Sequence, residues 1–396
     1  LEAQGKRLLL DLGLPIGADY DDVGVHPELG GLDGRGDLLA LIISHGHLDH
    51  VGLARLAGPD LTVAIGAATH RILKAAAPFV PRSYTPSKFT EFVDGQAMTF
   101  GPFVVTPILV DHSAYDAYAF LVEADGQRLM YSGDLRAHGR KARLFERLVN
   151  CPPTSVDAML MEGSSLGRLD ASKRFPTETD VENQLVATFL STRGMVLTSA
   201  SAQNIDRMVS IYRACKRSRR TLVLDLYAAE VLRATCNDHI PQSSWPGIAI
   251  FVPHYQRVRI KNSRRFDVLQ RHQRSRIFGD ALRHRPSDYV FLFRSAMLPD
   301  LERAECLDGA IAVWSQWDGY LSEPPGQALA TDLEARHVPM VHAHTSGHAS
   351  VPDLRRLAAA VAAKQLVPIH TFQPQAFKNL FGGNVVQRHD KVWWEV

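Results

Sequence analysis

The first third of the chain alternates short apolar runs with glycine-rich or polar turns. Runs at residues 8–12, 38–44, 61–65, 103–110, 117–123 and 128–131 have the length of strands, and Ala124-Asp125-Gly126-Gln127 reads as a hairpin turn between the last two. Helical periodicity appears at residues 50–56 and 69–76. From about residue 181 to 338 the pattern changes. Helix-like stretches at 181–190, 204–214 and 228–234 now alternate with strand-like runs at 195–199, 221–226, 247–252 and 289–293. That order predicts a parallel, doubly wound α/β unit. No repeat, low-complexity tract or glycine-rich phosphate loop is present, so a nucleotide cofactor is not indicated.

With 396 residues the chain exceeds what one compact core usually holds, which predicts two domains or one domain with a large insertion. Hydrophobic residues make up 45% and charged residues 22%, and no apolar stretch approaches the roughly 20 residues of a membrane helix. A membrane-spanning role is therefore not expected. The opening residues Leu1-Glu2-Ala3-Gln4-Gly5-Lys6-Arg7 read as the middle of a hairpin rather than a signal peptide, so a short N-terminal piece is expected to precede them. Cys151, Cys215, Cys236 and Cys306 form no CxxC pair, which fits a reducing, cytoplasmic setting. The net charge is only +2, but basic residues cluster. Eight Lys or Arg lie between Arg257 and Arg276 against the single Asp267, and Arg213, Lys216, Arg217, Arg219 and Arg220 form a second group. Such runs are ordinarily solvated faces.

The chemistry concentrates where the strand at 37–44 ends, in His45-Gly46-His47-Leu48-Asp49-His50. In an extended segment alternate side chains share a face, so His45 and His47 can reach one ion while Gly46 leaves the backbone room. Asp49 and His50 follow as the chain turns into the helical segment Val51-Gly52-Leu53-Ala54-Arg55-Leu56, which aims them toward a second ion. One histidine is ordinarily structural, but three histidines and an aspartate in six residues point to metal.

This run resembles the HxHxDH signature of the metallo-β-lactamase superfamily. The resemblance implies a later histidine, a bridging aspartate and a final histidine at strand ends, matched by His112, by Asp134 in Tyr131-Ser132-Gly133-Asp134, and by His370 after Leu366-Val367-Pro368-Ile369. Asp11, in Leu10-Asp11-Leu12-Gly13, matches an early aspartate that supports the site without binding metal. Carried over, the resemblance puts His45, His47 and His112 on a first divalent ion and Asp49, His50 and His370 on a second, with Asp134 bridging. Zinc suits such nitrogen-rich ligation, with manganese as the alternative.

The long interval between Asp134 and His370 resembles the β-CASP group, in which a second domain interrupts the metal-binding fold. The implied fold is α/β: a metallo-β-lactamase αββα sandwich over residues 1–180, an inserted α/β β-CASP domain over 181–340, and a return over 341–396. Further marks of that group are matched by Glu162 in Met159-Leu160-Met161-Glu162-Gly163-Ser164 and by His348 in His344-Thr345-Ser346-Gly347-His348-Ala349. On this resemblance the catalytic set is Asp49, Asp134, Glu162 and His348. The two aspartates orient a metal-bridging hydroxide, Glu162 keeps His348 in place and basic, and His348 binds a phosphate oxygen or protonates the departing one. Ser346, Gly347, His348, His344 and Arg207 are the expected substrate contacts, Arg207 from Ser199-Ala200-Ser201-Ala202-Gln203-Asn204-Ile205-Asp206-Arg207, which equally reads as a helix cap.

Members of the group cut nucleic acid, and histidine at the position of His370 is the mark of the RNA-processing branches, so single-stranded RNA is the expected partner. The basic stretch 257–276 then reads as a phosphate track, and Trp314-Ser315-Gln316-Trp317-Asp318-Gly319-Tyr320-Leu321 offers rings for base stacking or core packing. Two alternatives stay open, a DNA nuclease of the repair type and a catalytically silent RNA-binding subunit. The chain departs from the RNase J branch in reading His370-Thr371-Phe372 rather than His-Gly-Glu and in ending at Val396, so that branch's C-terminal domain is expected to be absent. Exonuclease or endonuclease action, polarity and oligomeric state do not follow from the sequence.

Overall fold

The computed structural model describes residues 1–81 and 83–396. They form two compact units. The first comprises Leu1–Ala77, Arg82–Phe175 and Ser346–Val396, and the second Pro78–Pro81 and Pro176–Thr345.

The first unit contains two sheets. One orders β1 (Glu2–Ala3), β2 (Lys6–Leu10), β3 (Leu38–Ile43), β4 (Thr62–Gly66) and β5 (Phe89–Phe92) side by side. The other runs β6 (Met98–Phe100), β7 (Phe103–Val110), β8 (Ala117–Ala124), β9 (Gln127–Tyr131) and β10 (Ala158–Glu162), and a strand at Gln365–Ile369 completes it by pairing in parallel with β10. Alternation of side chains along each strand builds the layers. In β3, Ala40 and Ile42 face the second sheet's Phe103, Phe120 and Leu129, while Leu41 and Ile43 face outward to Val51, Leu53 and Leu73. In β8, Tyr118, Phe120 and Val122 point inward, and Ala117, Ala119 and Leu121 pack under Phe145, Leu354 and Phe377. The result is helix, sheet, sheet, helix.

The second unit is a single parallel sheet of β11 (Val196–Ser199), β12 (Thr221–Leu224), β13 (Ile248–Ile250), β14 (Tyr289–Leu292), β15 (Ile311–Trp314) and β16 (Met340–His342), in the order β13-β12-β14-β11-β15-β16. All five ladders are parallel. Such sheets are buried on both faces, and β11 is buried at every position. The chain then returns to the first unit, where Gln365–Ile369 is β17.

Several expected elements shift. The strand expected at 8–12 ends at Leu10, because Asp11 takes a left-handed conformation at φ +57°. The helix expected at 50–56 is a single turn, Leu48–Val51, because the His50 carbonyl that a longer helix would use accepts instead from Leu12 N. The strand expected at 221–226 stops at Leu224, since Asp225 caps the helix Leu226–Ala234 through its bond from Ala228 N. Strands β5, β6, β15 and β16 were not marked by the apolar pattern; β6 and β16 have only three residues each.

Candidate metal centre

Six strands of the first unit deliver a polar residue at or just past their C-terminal ends. Asp11 follows β2, His45 follows β3, His112 follows β7, Asp134 follows β9, Glu162 closes β10, and His370 follows β17. His47 stands at the N-terminal boundary of the one-turn helix that carries Asp49 and His50, still in extended conformation. Gly13 lets the 12–14 segment run against that helix. A Cβ there would lie 1.7 Å from the Asp49 carbonyl oxygen.

The side chains converge as two adjoining groups. Ligand atoms of His45, His47 and His112 lie within 4.8 Å of one another, and so do those of Asp49, His50, Asp134 and His370. The chemistry of this donor set fits divalent cations. His50 Nδ1 lies 2.6 Å from Asp11 Oδ2 and serves as its donor, so neutral His50 presents a lone pair at Nε2, only 3.1 Å from Asp134 Oδ2. Two acceptors facing each other in a buried site need a cation or a proton between them. His112 repeats the logic, with Nδ1 donating to the Gly347 carbonyl at 2.6 Å and Nε2 turned toward His47 Nδ1 at 3.2 Å. His45 Nε2, His50 Nε2 and both Asp134 oxygens are buried with no partner in hydrogen-bonding geometry, although His370 Nδ1 comes to 2.9 Å from Asp134 Oδ1.

Charge is distributed accordingly. Burial and the neighbouring imidazoles push His45 and His112 well below the ordinary histidine value, keeping them neutral as ligation requires. Burial acts the same way on His50 and His370, but carboxylates outweigh it: Asp134 and Asp11 raise His50, and Asp134 and Asp49 raise His370 to about 10. Asp49 is held down to about 2, its burial outweighed by the bond from His370.

Around this centre lies an outer layer of hydrogen bonds. Asp11 accepts from Ser44 N, Ser44 Oγ and Tyr131 Oη, each at 2.6 Å, besides His50. Glu162 is wholly buried, accepts from Leu135 N at 3.1 Å and meets His348 Nδ1 at 3.0 Å. The turn that carries His348 is fixed by its carbonyls. Ser346 O accepts from Arg136 Nη1 at 3.0 Å and lies 2.9 Å from His138 Nε2, while Gly347 O is held by His112. A Cβ at Gly347 would meet Ser113 Oγ at 2.8 Å, so any side chain there would have to displace the Ser113 hydroxyl.

Comparison with known proteins bears on this arrangement. A family model described as a β-lactamase superfamily domain matches residues 24–219. This is a metallo-β-lactamase fold. Ribonuclease J of Mycobacterium tuberculosis (strain H37Rv) is 26% identical over 397 residues, covering 93% of this chain and 65% of its own length. Ribonuclease J of Sinorhizobium meliloti is 24% identical, covering 87% and 61%. The chain thus spans a little under two thirds of the length of these relatives. A crystal structure of a protein of unknown function from Enterococcus faecalis V583 superposes with TM-score 0.74 at 19% identity, over 98% of this chain and 93% of that one, and so shares the fold across both units. With its inserted parallel sheet, the chain is similar to RNase J-like proteins of the β-CASP group.

One sequence expectation is corrected within the second unit. Arg207, expected to face phosphate, is wholly buried: its guanidinium pairs with Glu178 at 3.0 Å and donates to Ser315 Oγ at 2.6 Å and Ser315 O at 2.9 Å. It braces the ends of β15 and β16, with Ala343 O at 3.5 Å and His344 Nδ1 at 3.3 Å from its Nη1. In the basic stretches five arginines pair with carboxylates of the same unit. Arg257 pairs with Asp300, Arg265 with Asp267, Arg271 with Glu230, and Arg213 and Arg217 with Glu182. Trp314 is buried in β15 and belongs to the core. Sequence reasoning missed Ser44, Tyr131, Arg136, His138 and the need for Gly13. Their residue types carry no signal by themselves, and only the spacing Asp134-Leu135-Arg136-Ala137-His138, a basic cluster directly after the aspartate, offered a hint.

Proposed function

We propose that the chain is a metal-dependent ribonuclease acting on single-stranded RNA. His45, His47 and His112 would hold one divalent cation and Asp49, His50 and His370 a second, with Asp134 shared and zinc or manganese as the metal. The observation that carries this reading is the convergence of seven donor residues on a buried region whose nitrogen lone pairs and carboxylate oxygens face one another unpartnered. The name ribonuclease J borne by the relatives supports RNA as the substrate.

When bound, two such cations supply Lewis acidity to a phosphodiester and to the attacking water. The chain's own groups do the rest. Asp49 and Asp134 are ionised and accept the proton of that water or orient it. His348 is the general acid. Burial alone would lower its pKa, but Glu162 and Asp134 raise it, which favours the protonated form a general acid needs. With Nδ1 given to Glu162, its Nε2 is left for the departing oxygen. Glu162, wholly buried and fixed by Leu135 N and Ser164 N, sets the orientation of that imidazole. Ser346 and Gly347 shape the turn that presents it.

The test is hydrolysis of matched RNA and DNA strands by metal-loaded protein, with Asp49→Ala alongside and metal content measured for both. RNA cleavage abolished by Asp49→Ala in a folded protein is expected. Equal rates for the variant would sink the reading, preferential DNA cleavage would convert it to a repair-type nuclease, and fewer than about two ions per chain without cleavage would point to a silent subunit.

A further inference from the structure

The parallel sheet of the β-CASP unit has a reversal in its winding. The chain leaves β12 for its outer neighbour β13, whereas it leaves β14 in the opposite direction, across β11 to β15. The connections therefore diverge between β12 and β14, which are adjacent. In open parallel sheets the crevice outside the carboxyl ends of such a diverging pair is where ligands bind. In this chain the crevice holds polar and aromatic residues that the reaction at the metal centre does not use.

Asp225 and Tyr227 follow β12, Arg294 follows β14, Gln203 follows β11 and Tyr255 follows β13. The Arg294 guanidinium lies 5.2 Å over the Tyr227 ring, and its Nε donates to Asp225 Oδ2 at 3.1 Å. Gln203 Nε2 donates to the Tyr227 hydroxyl at 3.1 Å, and the Phe79 ring stands 5.8 Å from that of Tyr227. Asp225 is buried and already accepts from Ala228 N and Gln256 Nε2, so its charge serves to hold the guanidinium in place. Arg294 remains 27% exposed, and among the described residues its Nη1 and Nη2 find no acceptor. Nη2 is also shut off from solvent, so water does not satisfy it either. Leaving a donor of a charged group unmatched is unfavourable, and an oxyanion is the complement of a guanidinium fork. Aromatic faces beside a cation are in turn the platform on which nucleobases stack.

We infer that Arg294, Tyr227, Tyr255 and Gln203 form a nucleoside-phosphate subsite, with the phosphate on Arg294 and the base against the tyrosines, occupied by one nucleotide of the RNA strand. The subsite rests on the ribonuclease reading, and the experiment separates the two. Full-length protein stripped of metal is mixed with a short single-stranded oligoribonucleotide carrying 5-iodouridine and irradiated. Crosslinks to the peptides bearing Tyr227 or Tyr255 are expected, together with an affinity for the same oligonucleotide lowered about tenfold by Arg294→Gln. If Arg294→Gln fails to fold, Tyr227→Leu carries the measurement with the same expected loss. Uridine monophosphate in excess is the second arm. Displacement of the crosslink by the mononucleotide at micromolar concentration would identify free nucleotide as the better occupant, overturning assignment to the RNA strand. Crosslinks confined to other peptides, or unchanged affinity in folded Arg294→Gln, would overturn the subsite and show Arg294 and the tyrosines to be core packing. If metal-loaded protein nevertheless cleaves RNA, the ribonuclease reading survives that result. Absence of both oligonucleotide binding and cleavage would remove both.

Discussion

Asp134 is surrounded by histidine. Nitrogens of His45, His50, His112, His348 and His370 lie between 2.9 and 4.0 Å from its oxygens, and the carboxyl is wholly buried. Without cations, protons must do their work. Among the expected ligands His50 and His370 are driven upward, so both hold a proton at neutral pH, while His45 and His112 do not. Metal binding must therefore expel protons. Titrating stripped protein with zinc at pH 7.5 in buffers of different ionisation enthalpy should show release of about two protons per chain. Affinity should rise with pH, since the competing proton on His370 is lost only toward about 10. Zero release would mean that the ions bind elsewhere.

Arg136 illustrates the other kind of residue at this scale. It is fully buried, its Nε is 3.5 Å from Asp111 Oδ1, and its Nη1 fixes the carbonyl just before Gly347 and His348. Arg136→Met keeps volume but releases Ser346 O and leaves the Asp111 carboxylate poorly compensated. Removing one partner of a buried pair costs about 3–5 kcal/mol. In protein that stays folded, kcat should fall by at least about tenfold as His348 loses its position, with bound metal unchanged because no expected ligand is touched. Loss of metal in step with activity would instead make Arg136 a support of the ligand shell.

At the scale of elements, the centre was legible where a strand ends in a ligand. His45, His112, Asp134 and His370 each follow an apolar run, and the His45–His50 sequence packs five of six informative positions into one strand-to-helix turn. Buried strands advertise themselves, and so do residues just past them. Legibility failed where the partner is distant in sequence: Tyr131 reaches Asp11 across 120 residues, and Arg136 reaches Ser346 across 210. It failed also for Arg207, because an arginine near a strand end reads the same whether its carboxylate partner, here Glu178 in the preceding helix Glu178–Ser191, lies in front of it or not. Gly13 is the element-level case. The 12–14 segment forms bonds from Leu12 N to His50 O and from Leu14 N to Leu48 O, with no space for a side chain between. Gly13→Ala should push that segment off the metal-motif helix, costing about 1–3 kcal/mol or more and lowering metal occupancy. Gly383→Ala, where a Cβ meets nothing within 4 Å, is the matched control. Urea midpoints and metal analysis of the pair check this; equal behaviour would show that the segment can yield.

For the whole molecule, metal and acid should act on different units. Every expected ligand belongs to the metallo-β-lactamase unit, so a bound ion stabilises that unit by RT ln(1 + [L]/Kd), about 4 kcal/mol at a thousandfold excess over Kd. The β-CASP unit has its own ionic centre. Glu230 is buried and meets Arg233 at 3.0 Å, Arg271 at 2.9 Å and His272 at 2.8 Å. Burial would raise its pKa, but the bonds from His272, Arg271 and Arg233 outweigh burial and hold the carboxyl far below the usual range. A depressed carboxylate stabilises the fold fully above its unfolded value, about 4.3, and loses that contribution as pH falls toward the folded value. Both arginines are partly exposed, so screening limits the effect to about 1–3 kcal/mol. Hydrogen exchange on peptides from Leu226–Ala234 should thus accelerate as pH drops from 5 to 3, after correction for intrinsic rates, and Glu230→Gln should remove most of that dependence while being less protected at pH 7. Chelation should accelerate exchange on the peptides around His45–His50 and leave the Leu226–Ala234 peptide unchanged. A Glu230→Gln protein that keeps the parent's acid response would show that other carboxylates govern it, and chelator sensitivity in the β-CASP peptides would show that metal binding reaches the second unit.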